Sequence, residues 1–184
     1  ILVLQVKWAL MRDLGLLAQA EQEELQTVQA LLQADQAGQR GVVREDLNRW
    51  AHSYYGLHEL LPQIQSRLQW VSERDGPGSR WAIILHRAVA FAHRSADRNA
   101  EALAVIDEAA RLARQHHPDD TALHGWIAGE RAPCLAANGL WLEARDEFIV
   151  LRDEMLALNP PDHGNLMRMN YHLAGIANIL GDHE

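Results

Sequence analysis

Cys134 is the only cysteine in this chain of 184 residues, so no internal disulfide can form, and a reducing, cytoplasmic setting is the natural reading. Positive charge is also scarce. Seventeen lysines and arginines face 25 aspartates and glutamates, a formal net charge of -8, which disfavours the phosphate attraction that nucleic-acid binders depend on. There is no long apolar run either: Ile1-Leu2-Val3-Leu4 is broken by Gln5 and Lys7, far short of the ~20 residues of a membrane span. No segment alternates apolar and polar residues with period two, so no strand is expected. A glycine-rich phosphate loop and a serine elbow are missing, which removes the common phosphate and acyl-transfer chemistries.

The candidate chemistry that remains has a plain structural account. None of the ten histidines forms the i, i+4 pair with a glutamate that marks a helical zinc site, so no metal is expected. Cys134 follows Pro133 and has no positioned histidine or asparagine in a known pattern, which reads as a buried structural thiol. Glu130 and Asp120 do not form a recognisable hydrolytic pair. No catalysis and no cofactor are expected.

What the chain does contain is a recurrence at one offset. Forty-two residues separate Pro118 from Pro160, Asp120 from Asp162, Ala132 from Ala174 and Gly139 from Gly181. The same step backwards takes Ala132 to Ala90 and Glu143-Ala144 to Glu101-Ala102. The break residues Gly15, Gly56, Asp97, Gly139 and Gly181 follow one another at 41, 41, 42 and 42 residues. A fixed period of this size marks an array of supersecondary units, each burying its apolar face against its neighbours. The units fall at about 1–38, 42–75, 80–117, 120–159 and 162–184, a single array whose last unit is truncated.

Every segment between the breaks has helical spacing. Residues 1 to 37 read as helix, with a break allowed at Gly15, and further helices are expected over about 42–55, 58–74, 80–96, 100–116, 120–139 and 142–158, with a last one reaching about 180. Pro62 falls in a first turn, where proline is tolerated. Asp75-Gly76-Pro77-Gly78-Ser79 is the clearest turn, with Ser79 and Asn99 placed to cap the helices after them. Pro133 should disturb its helix, because the carbonyl of Gly129 loses its partner. The fold class is therefore all-α, in antiparallel helix pairs. The unpaired last helix would present Leu173, Ile176 and Leu180, which predicts self-association or a frayed end.

Gly139, Trp141, Glu143-Ala144 and Phe148 reproduce the landmarks of the tetratricopeptide repeat: a helix-ending glycine, an aromatic, Glu-Ala, and a large apolar residue four positions on. The 42-residue length and the Pro-Asp loops make the chain similar to the kinesin light chain class of these repeats, most closely over 170–184. Asp97 stands where that pattern has glycine, His183 where it has an aromatic, and the paired asparagines of its peptide-gripping members are not reproduced. The resemblance implies a right-handed α-solenoid whose concave face is lined by the first helix of each pair and binds a protein or peptide.

Arg80, Arg87 and Arg94 recur every seven residues and lie within about 40° of one another on a helix of ~3.6 residues per turn. Phe91 is beside them. Such a row is either an edge paired with carboxylates of the next hairpin or a clamp for a carboxylate-bearing partner. In the repeat register Trp126 and Glu130, then Arg168, Tyr171 and His172, share that face, with Asp46, Trp50 and Tyr54 flanking it. The expected function is an interaction module. The alternative is a ligand-sensing regulatory segment of a signalling enzyme or transcription regulator, its output domain lying elsewhere.

Overall fold

The computed structural model describes residues 60–157 and 163–181, together with residues 26, 30 and 58. The expected helices before residue 58, and Asp46, Trp50 and Tyr54 with them, lie outside the described residues. Six helices follow in order: α1 (Leu61–Asp75), α2 (Arg80–Ser95), α3 (Asn99–His116), α4 (Thr121–Ala137), α5 (Trp141–Ala157) and α6 (His163–Leu180). No strand occurs among the described residues. Each helix packs on the next in the chain, and α2 also lies against α4, whereas α4 and α6 have no comparable contact.

The boundaries follow from local chemistry. Pro62 sits in the first turn of α1, where its missing N–H has no helical partner to lose. Ser79 Oγ accepts from the Ala82 N–H at 3.3 Å, and Asp120 Oδ1 accepts from the Leu123 N–H at 2.9 Å, capping α2 and α4. Asn99 does not cap α3. It is the first residue of the helix, Arg98 precedes it without a side-chain bond, and the Asn99 carbonyl instead accepts from Asn138 Nδ2 at 2.8 Å. That same amide reaches the Cys134 carbonyl at 2.8 Å, tying the end of α4 to the start of α3. Helix α4 runs through Pro133 as one element.

The 42-residue offset reappears as conformation and burial. Asp97, Gly139 and Gly181 all adopt the left-handed region, at φ 57, 76 and 74°. Asp97 thus does the work of the glycine it replaces, a conformation that aspartate tolerates better than most residues. Ala90 and Ala132 are completely buried, as are Ala102 and Ala144, and four positions after each of the latter pair Ile106 and Phe148 are buried too. Alanine there lets two helices approach closely, and the large residue beyond it fills the seam. Ala174, the next in the first series, is exposed.

The core divides along the chain. Val71, Ile83, Val89, Ile106, Leu112 and Leu123 belong to the part shared by α1 to α4. Leu135, Ala144, Phe148, Leu151, Met169 and Ile176 form the part shared by α4, α5 and α6. The α6 face expected to stay open is therefore largely closed: Ile176 is buried and Leu173 packs against that second core, because α5 supplies Phe148 and Leu151. The open apolar residues of α6 are Met167, Tyr171 and Ile179, with Leu180 at its end.

Replacing Asp97 by glycine is expected to raise stability by up to about 1 kcal/mol, since relief of left-handed strain outweighs the added freedom of the unfolded chain. Gly139→Ala should lower it by about 1–2 kcal/mol for the converse reason. Urea midpoints of the two variants measure this; a lower midpoint for Asp97→Gly would show that the aspartate side chain holds the turn.

Candidate functional site: the arginine row and the face of α6

The arginine row of α2 is joined to α4 at both ends. Arg80 Nε donates to Asp120 Oδ2 at 2.7 Å, and its guanidinium lies 4.9 Å from the Trp126 ring. Fourteen residues along, Arg94 Nε donates to Glu130 Oε1 at 2.9 Å, with the guanidinium 5.2 Å from the Phe91 ring. Arg87 lies buried between them. Of the two accounts of the row, pairing with the next hairpin's carboxylates is the one observed at Arg80 and Arg94.

The two ends differ in how far they are from water. Arg80 and Asp120 keep 43% and 26% of their side-chain surface, whereas Arg94 keeps 29% and Glu130 only 3%. Burial holds the Glu130 carboxyl above its ordinary range, against the pull of Arg94, Arg87 and Arg168. Burial also lowers Arg87 to about 10; Glu130 opposes this and Arg168 adds to it. Cys134 Sγ lies 3.9 Å from Glu130 Oε1, and burial, with the Glu130 charge, pushes the thiol up to about 12. A thiol so placed is inert at neutral pH.

Helix α6 supplies a different surface. Arg168, Tyr171, His172, Gly175 and Ile179 fall at spacings of three and four and so share one stripe. Tyr171 is 78% exposed, an unusual position for a large aromatic ring. His172 stacks on Phe148 of α5 with centroids 4.7 Å apart and planes 8° from parallel, and Tyr171 meets its edge at 5.9 Å. Burial lowers the His172 pKa, and the charges of Arg168 and Arg94 lower it further. Arg168 is exposed, and its side chain forms no hydrogen bond or ion pair among the described residues, although its charge acts on Glu130.

The residues singled out in the sequence thus separate into two groups. Arg87, Phe91 and Glu130 lie buried beneath the surface. Arg94, Trp126 and His172 are partly open, and Arg168 and Tyr171 are exposed. Sequence reasoning missed a cleft of about 310 Å³ between the end of α4, α5 and α6, lined chiefly by Trp141, Phe148, Tyr171, His172, Ile176 and Ile179. Its signal was present in the α6 stripe, but Trp141 and Phe148 read as repeat landmarks and hence as core. Among the described residues no group of His, Cys, Asp and Glu is arranged to hold a metal ion.

Removing Arg94 should be the costlier of the two breaks, because it leaves a buried carboxyl without its donor: about 2–3 kcal/mol for Arg94→Ala. Arg80→Ala, at the exposed end, should lose no more than about 1 kcal/mol. Equal losses in chemical denaturation would contradict the difference in burial. The raised Glu130 value carries a pH signature. Its proton adds stability below the ordinary glutamate value of about 4.3, and that contribution is lost as pH rises through the folded value. A scan of Tm against pH should therefore decline less steeply above about 4.3 in Glu130→Gln than in the unaltered chain; parallel curves would place the folded value at or below the ordinary one.

No protein-family model and no curated protein matches the chain.

Proposed function

We propose that the chain is a tetratricopeptide-like α-solenoid, in which α2, α4 and α6 line a concave face that docks a protein or peptide partner. The all-helical order, the packing of each helix on the next and the 42-residue recurrence of buried alanines and left-handed break residues support the solenoid. The observation that carries the docking reading is the α6 stripe, where a 78% exposed tyrosine stands one turn from an arginine with no ion pair among the described residues. Aromatic and arginine side chains are the residues that most often anchor interfaces. Arg94 and Trp126 extend the surface towards α2, and the buried Arg87, Phe91 and Glu130 hold its shape. The function is recognition, with no chemical step in this chain. The cleft favours a second reading, a ligand-sensing regulatory segment of a signalling enzyme or transcription regulator.

Selection of a random peptide library on the immobilised chain tests the first reading. Tyr171→Ser and Arg168→Glu alter exposed side chains and should leave Tm unchanged while reducing capture of the selected peptides at least about tenfold. Peptides captured equally by both variants would remove the α6 stripe from the docking surface.

A further inference from the structure

The cleft beside α6 exists because the brace between α2 and α4 is not repeated between α4 and α6. Advancing Arg94 by 42 residues gives Ala136, and advancing Glu130 gives His172. Both of those residues line the cleft. Where one pair of helices is tied by a guanidinium reaching a carboxylate at 2.9 Å, the next pair has a methyl group facing an imidazole. The volume vacated by the long side chain stays open, and α4 and α6 lack the close contact that α2 and α4 have. Further along the stripe a Cβ built on Gly175 would meet nothing within 4 Å, so the cleft is roomy there as well.

Its chemistry is specific. The walls are aromatic and aliphatic, and one parallel ring pair, Phe148 and His172, is already in place, with Tyr171 at its edge; a flat ring is the shape such walls receive best. A volume of about 310 Å³ lies at the small end of ligand pockets, enough for one ring with a short arm. Among the described residues no carboxylate lines the cleft. The nearest buried one, Glu130, is already bonded to Arg94. Arg168 is not part of the lining but lies exposed one turn before Tyr171 and His172 on α6, and its charge and that of Arg94 both act on the His172 ring. An exposed guanidinium thus stands one turn along α6 from the cleft lining, without a side-chain hydrogen bond or ion pair among the described residues.

We propose that this cleft binds a small aromatic monocarboxylate, its ring against the partly open His172 ring that Phe148 backs, and its carboxylate on the Arg168 guanidinium one turn along α6. The site goes beyond the docking of a peptide and does not depend on it: capture of peptides without uptake of such an acid sinks this inference alone, and the reverse result sinks the docking reading alone.

The test is a titration of the whole chain with 3-phenylpropionate, followed through the indole N–H resonance of Trp141, which lines the cleft. The neutral 3-phenylpropanamide serves as the uncharged control of equal shape, and 3-phenylpropylamine as the charge-reversed one. A saturable shift with the acid is expected, and binding at least about tenfold weaker with the amide and in Arg168→Gln, since both remove the charge-assisted bond. Gly175→Leu, which fills the open volume without touching the charge, should abolish the shift. Arg111→Gln, at an exposed site on α3, should leave it unaltered. The proposal is overturned by any of three results: no saturable shift with the acid, equal binding of acid and amide, or unaltered affinity in Arg168→Gln while its Tm matches that of the parent chain.

Discussion

Two helices can bury their apolar stripes against one another only if the backbones come close, and at the seams of this chain the residue that permits it is alanine. Ala90, Ala102, Ala132 and Ala144 are buried to the last atom, and the turns between helices are short enough that any bulk there would push a whole pair apart. Close approach in turn demands that each chain reversal end its helix abruptly. That is the role of the left-handed residues Asp97, Gly139 and Gly181, each followed by a new helix or by the end of the described segment. The large residues Ile106 and Phe148 then have a fixed gap to fill. Packing, turn chemistry and sequence period are thus one constraint expressed three ways.

Onto this frame the chain adds a polar contact that hydrophobic packing does not require. Glu130 is as buried as the core leucines around it, and its carboxylate faces a guanidinium from a different helix pair. An ion pair so placed contributes little net stability, because desolvation offsets most of the attraction. What it does contribute is register: the bond from Arg94 on α2 to Glu130 on α4 is met at one sliding position of the two helices, where a stripe of alanines and leucines would admit several. The exposed pair of Arg80 and Asp120 fixes the other end, and Asp120 caps α4 with its second oxygen, so the helix start and the inter-helix contact are set by the same side chain.

Helix positions in the second half of the chain were legible because helix signals are local. The expected 80–96, 100–116 and 142–158 differ from the observed helices by one residue at each end that moved, as capping and fraying allow. Asn99 misled for a local reason too: a cap is identified by residue type, yet Asn99 entered the helix and its carbonyl was claimed by Asn138 from a turn 39 residues away. Burial of the arginine row was not legible at all. Arg80, Arg87 and Arg94 share one helical stripe and one residue type, and only the approach of α4 decides that the middle one is buried and that the ends find acids. The cleft was illegible for the same reason, since it is made by what two helices fail to bring to each other.

That failure is where the repeat departs from itself. In a strict array, the pair at 94 and 130 would be repeated at 136 and 172, and α4 and α6 would be tied as α2 and α4 are. The substitution of Ala136 and His172 removes both charges at once, so no buried ion is orphaned and the fold is spared the penalty of an unmatched carboxylate. The same step converts Trp126 of one unit into Arg168 of the next, placing a cation at the surface where its predecessor places a ring. Charge that is internal and bonded between α2 and α4 becomes external on α6, with no bonded acid among the described residues. The exposed cation and ring of α6 are not what holds that helix on α5, and it is on them that the proposed recognition rests.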